Sequence, residues 1–151
     1  MTADAFWQEF LAAKGLDAST KHYDCFHFCN EEKLANDLLA LVLSGVKVAT
    51  SSAFPAYAAE GAALPQVGNY SIVTDFAGKP FCVIQTTAVT VMPFGEVTYE
   101  ICKREGEDKT LDTWREGHIK FFTQDAQEYG YEFSEAMPIV FEDFAMVYQL
   151  K

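Results

Sequence analysis

Residues 36–52 read NDLLALVLSGVKVATSS, a stretch in which a helix stops and a β-prone segment starts. Working upstream, NEEKLANDLLALVLSG (residues 30–45) sets Leu34, Leu38, Leu39 and Val42 at helical spacing, which predicts a buried stripe. Asn30 suits the N-cap, and Glu31 and Glu32 suit the positive end of the helix dipole. Gly45 falls where a helix commonly turns out of its last turn. Downstream, VKVATSSAF (residues 46–54) is short and β-prone. One passage thus predicts a chain that mixes helices with strands.

The flanking sequence extends the same pattern. TADAFWQEFLAAKG (residues 2–15) places Phe6, Trp7, Phe10 and Leu11 on one helical face, with Gly15 as the stop. YAAEGAALPQVGNY (residues 57–70) reads as a loop around Pro65 and Gly68. YSIVTDF, a turn at AGKP, and FCVIQTTAVTVM (residues 70–92) form a predicted hairpin. From Glu96 short helical pieces are broken by REGEDK, and a longer helix follows, capped by Thr110 or Asp112. Leu111, Trp114, His118 and Phe122 recur along that helix, and MPIVFEDFAMVYQL (residues 137–150) closes the sheet. With no repeat and no linker, residues 1–151 are expected to form one α+β domain, its strands enclosed by helices.

Charge narrows the partners. Eleven Lys and Arg against 22 Asp and Glu give a net charge of −11, which opposes nonspecific binding to a polyanion. Nucleic-acid recognition, if present, must therefore rest on a local pocket or on reading one base. No apolar run approaches the roughly 20 residues of a membrane-spanning helix. The acidic start, MTADAFWQEF, is unlike a secretory signal, so a cytoplasmic location with no membrane partner is expected. Cys25, Cys29, Cys82 and Cys102 are then expected to be reduced thiols, with Cys82 in the core.

Three groups of residues could carry chemistry. In HYDCFHFCN (residues 22–30), an extended chain would put Cys25, His27 and Cys29 on one face. Alternate strand positions lie about 6–7 Å apart, too far for three ligands to meet one tetrahedral ion easily, and no second ligand pair is visible. The segment is read as a half-buried strand, with no metal and no cofactor expected. In GVKVAT (residues 45–50), Lys47 either answers the negative end of the preceding helix or converges with Thr50 on a ligand. Convergence needs an irregular backbone between residues three apart. In REGEDKTLDTWREGHIKFF (residues 104–122), Glu105, Glu107 and Asp108 are either solvated loop acids or part of a site. Trp114, Arg115 and His118 on adjoining helical positions could wall a base and a phosphate.

Together, NDLLALVLSGVKVATSS, LPQVGNYSIVTD, FCVIQTT with MPFGEVT, and REGEDKTLDTWREGHIKFF resemble the ASCH domain family, over nearly the whole chain. That resemblance implies a small bent PUA-like β-barrel with surrounding helices and a cleft beside a G-x-K-x-x-T motif. It also implies nucleoside or short single-stranded RNA ligands. One bacterial type is an amidohydrolase that deacetylates acetylated cytidine with a Lys, a Thr and a Glu, and some longer members are described as ribonucleases. The implied catalytic positions here are Lys47, Thr50 and Glu105, with Glu107 competing for the acid, and the implied ligand contacts are Ser52, Trp114, Arg115 and His118. In that chemistry Thr50 attacks the acyl carbon and an uncharged Lys47 takes its proton. The chain departs from the family pattern at Val48, where a basic residue is common, and at Cys29, where a glycine is.

Overall fold

The computed structural model describes residues 1–151 as an α+β fold in which one five-stranded sheet curls into a half-barrel. In chain order the elements are α1 (Ala3–Lys14), β1 (Asp24–Phe26), α2 (Glu32–Leu43), β2 (Ala49–Ala53) and α3 (Phe54–Glu60). Then come β3 (Tyr70–Thr74), β4 (Pro80–Pro93), α4 (Tyr99–Cys102), α5 (Leu111–Tyr129) and β5 (Pro138–Gln149). The strand order is β1-β3-β4-β5-β2, with β1 parallel to β3 and the other neighbours antiparallel.

The long pair β4 and β5 carries the curl. It runs from Cys82 opposite Gln149 to Pro93 opposite Pro138, and its register shifts between Val83 and Ile84 and again between Thr86 and Ala88. Each such irregularity bends the strand and deepens its twist, so β1 and β2 end up as the two free edges of a trough.

Side-chain alternation sorts the core onto the faces of the sheet. Ile72 and Val83 face α1, where Phe6, Trp7, Phe10 and Leu11 cover them. Their strand neighbours Val73, Cys82 and Ile84 face the other way, against Leu38, Leu39 and Val42 of α2. A third cluster joins Trp114 and Phe122 of α5 to Ala53, Phe94 and Ile139. Each large apolar side chain so buried contributes about 1.5–3 kcal/mol, which makes α2 and α5 firm supports for whatever lies between them.

The predicted α1, hairpin, long helix and closing strand are all present. Thr2 and Gly15 cap α1, and Thr110, not Asp112, accepts from the Thr113 N–H to cap α5. Other expectations are corrected. The N-cap of α2 is Glu31 rather than Asn30, and Leu34 is exposed while Ala35 is buried in the stripe. Residues 54–60, partly within the predicted loop, form α3, with Pro55 in its first turn and Gly61 at φ +65 ending it. The strand expected through Cys29 stops at Phe26, so Cys25, His27 and Cys29 do not share a strand face. Cys29 instead adopts φ +58, a left-handed conformation that glycine takes without strain. No helix is long and apolar enough to cross a membrane.

Candidate functional site

The passage from α2 to β2 places Lys47. After Leu43 the chain turns through Gly45 at φ +80, and the Val46 and Lys47 amides both bond back to the Leu41 carbonyl. Lys47 therefore lies in the link before β2, whereas Thr50 is a regular strand residue. This is the irregularity that lets the two approach one cavity. The Lys47 amine does not answer the helix dipole. It folds forward, 2.8 Å from the Ala49 carbonyl.

The opposing wall is the loop after α4. A single 3-10 turn over Lys103–Glu105 ends at Gly106, φ +72, where a Cβ would fall 2.6 Å from the Val46 carbonyl oxygen. Only glycine allows this close approach, and the Val48 N–H donates to the Arg104 carbonyl to lock the two segments together. Glu105 and Glu107 flank that glycine and so both reach Lys47.

The resulting cluster is buried and ionic. Lys47 and Glu105 are each 1% exposed. Lys47 Nζ lies 2.7 Å from Glu107 Oε2 and 3.4 Å from Glu105 Oε1, with the Phe28 ring 5.2 Å below it. Acceptors at Ala49, Glu107 and Glu105 match the three N–H donors of an ammonium. Glu105 in turn accepts from Trp114 Nε1 at 2.7 Å and Ser51 Oγ at 3.1 Å, and His118 Nε2 stands 3.5 Å away. Burial would raise the Glu105 carboxyl, but Lys47, His118 and Trp114 outweigh it and hold it down at about 2. Burial pushes Glu107 the other way, above the usual carboxylate range, and neighbouring Glu105 adds to the rise against the pull of Lys47. Burial would lower His118, yet the Glu105 and Glu107 carboxylates and the Trp114 carbonyl, which lies 2.8 Å from Nδ1, raise it overall.

A cleft of about 400 Å³ opens over this cluster, within the size range of small-molecule sites. Its walls are apolar, with Phe28, Leu34, Leu38, Leu41 and Phe121. Its polar lining includes Lys47, Thr50, Ser51, Glu105, Glu107 and His118. Of the residues singled out from sequence, Lys47, Thr50, Glu105, Glu107 and His118 come together here. The Thr50 hydroxyl is not among the groups bonded to Lys47 or Glu105.

The other predicted contacts lie elsewhere or face another way. Trp114 is 0% exposed, stacked between His118 at 4.2 Å and Phe94 at 5.4 Å, so its ring has no free face for a base. Ser52, one strand position past Ser51, bonds Tyr57 at 2.6 Å and is not part of the cleft. Arg115 pairs with Glu135 and lies over Phe94, also outside the cleft. Sequence reading missed Ser51, Asp37 and the apolar wall from α2. Ser51 bonds Glu105, whereas its neighbour Ser52 bonds Tyr57.

One group has metal-ligand spacing. Ligand atoms of Glu105, Glu107 and His118 all lie within 4.8 Å of one another. Lys47 already places a cation against both carboxylates, so the group is satisfied by an internal ion pair.

Comparison with known proteins places the fold in a family. The sequence model of the ASCH domain matches residues 24–148. A crystal structure of a protein from Enterococcus faecalis V583 superposes with a TM-score of 0.90 at 35% identity, covering 97% of this chain and 88% of that one. The ASCH domain from Lactobacillus crispatus JV V101 superposes with a TM-score of 0.86 at 31% identity, covering 99% and 97% of the respective chains. No curated protein matches. With a family match over most of its length and two relatives sharing its whole fold, the chain belongs to the ASCH domain family.

Proposed function

We propose that the protein recognises a nucleoside, or a single unstacked base of RNA, in the cleft between α2 and α5. The observation that carries this reading is the cleft itself. Its volume of about 400 Å³ suits a ligand of that size, its walls are apolar enough to cover a planar ring, and its polar floor is preorganised. Buried charges on that floor are held by packing and by four separate contacts to Glu105, so they need no rearrangement when a ligand arrives.

Hydrolysis of an acetylated exocyclic amine is the finer form of the same reading. Thr50 Oγ1 would bond to the acyl carbon, the C–N bond would break, and the amine would leave with a proton, after which water would cleave the acyl ester. The Lys47 N–H groups are committed to Ala49, Glu107 and Glu105, so Lys47 is assigned to holding Glu107 in place rather than to taking the Thr50 proton. Glu107 is the better proton carrier, since its carboxyl is raised and 19% exposed, whereas Glu105 is enclosed and held ionised. Glu105 then serves as the group that positions Lys47.

Calorimetric titration with cytidine, followed by incubation with acetylated cytidine, tests both levels. The expected result is one-site binding that weakens in Thr50→Ala, and cytidine release that this substitution abolishes. Binding without release would remove the hydrolytic form and keep recognition. No binding of either compound would remove the reading altogether.

A further inference from the structure

The cleft contains more acids than cations, and its cations are already engaged. Asp37, Glu105, Glu107 and Asp108 face it, against one ammonium from Lys47 and one imidazole from His118. Lys47 directs its N–H groups to Ala49, Glu107 and Glu105, while His118 uses Nδ1 on the Trp114 carbonyl and turns Nε2 toward Glu105. Arg115 is held outside by Glu135. No cationic donor is left to receive a phosphate or carboxylate. Carboxylate oxygens remain, on Glu107 and on Asp108, which takes part in none of the fold's ion pairs, while Asp37 is paired with Lys33 at 2.7 Å. Charges across a cleft this small lie within the screening length of about 8 Å at physiological salt, so a second anion there feels them.

We infer that the cleft discriminates by charge, admitting an uncharged or cationic ligand that donates a hydrogen bond to Glu107 and rejecting the same ligand once it bears a phosphate. This rests on the reading of the cleft as a nucleoside pocket and sharpens it: the preferred form is the free nucleoside, not a nucleotide and not a strand whose phosphates enter the site. Val48 fits this selection. It is 38% exposed and adds no positive charge next to Lys47.

Titration of the whole protein with cytidine and with cytidine 5′-monophosphate, at low and high salt, tests the inference. Cytidine is expected to bind about tenfold tighter than the monophosphate at low salt, equivalent to about 1.4 kcal/mol. Added salt should narrow that gap. Asp108→Asn, which removes a cleft charge without breaking an ion pair, should narrow it too, and so should Glu107→Gln. Equal or tighter binding of the monophosphate overturns the charge selection and leaves the nucleoside reading intact. Failure of both ligands to bind overturns the nucleoside reading and this inference with it.

Discussion

Replacing Glu105 by glutamine perturbs the cluster at its most connected point. The substitution keeps the volume and one carbonyl oxygen, so Trp114 Nε1, now at 2.7 Å, retains an acceptor. It removes the negative charge opposite Lys47, and it turns an NH₂ group toward Lys47 and His118. Both partners of the pair are almost fully enclosed, so little solvent screening softens the loss. Breaking a buried pair from one side costs about 3–5 kcal/mol, and the retained acceptor and the second carboxylate at Glu107 place this case near about 3 kcal/mol. For a domain of this length, that corresponds to a Tm lower by about 6–12 °C.

The pH dependence gives the same reasoning a second readout. Glu105 has a folded-state value of about 2, below its ordinary 4.5. Its stabilisation is therefore complete above the ordinary value and is lost as pH falls through the folded one. Wild-type stability should decline between those limits more steeply than that of Glu105→Gln. Urea unfolding followed by circular dichroism across that range measures both effects. A variant as stable as wild type at pH 7, with the same acid slope, would refute the argument that Glu105 is an ionised, charge-compensated anchor.

Two further substitutions probe the same architecture. Lys47→Met leaves two acids without their cation and should also cost about 3–5 kcal/mol. In a double-mutant cycle with Glu105→Gln the costs should be strongly non-additive, whereas additivity within about 0.5 kcal/mol would show that the pair is not coupled. Gly106→Ala should lower stability by about 2 kcal/mol or more, because a Cβ at φ +72 meets the Val46 carbonyl at 2.6 Å; a neutral result in chemical denaturation would show that this loop does not need its close approach.

The parts of the fold legible in the sequence are those where local pattern and tertiary demand coincide. Phe6, Trp7, Phe10 and Leu11 repeat at helical spacing, end at a glycine, and are buried together. The hairpin from Tyr70 to Pro93 announces itself by β-branched residues on either side of a Gly-containing turn. Helix α3 was hidden because its seven residues bury none of their number, so no apolar period could appear. Leu34 looked like core by spacing, but it lies at the cleft, where an exposed apolar side chain serves as wall.

The candidate site divides in the same way. Lys47, Thr50 and Glu105 were reachable through a motif and a resemblance. That Glu105 and Glu107 straddle Lys47 depends on Gly106 packing against Val46, a contact 60 residues apart that no local period encodes. Trp114 shows the converse. Its place on a helical face beside His118 suggested an aromatic wall, yet Phe94 from a distant turn covers its outer side. Helical spacing states which residues share a face, and only the packed structure states what covers that face.

The proposed ligand cleft lies over the Lys47, Glu105 and Glu107 cluster. Its most direct test is a titration of isotope-labelled protein with cytidine, followed by amide and His118 side-chain chemical shifts. Saturable shifts are expected at Lys47–Ser51, at Glu105–Asp108 and at His118, with α1 and its strand partners Ile72 and Val83 unmoved. Shifts confined to another surface, or none at ligand saturation of the solution, would contradict it.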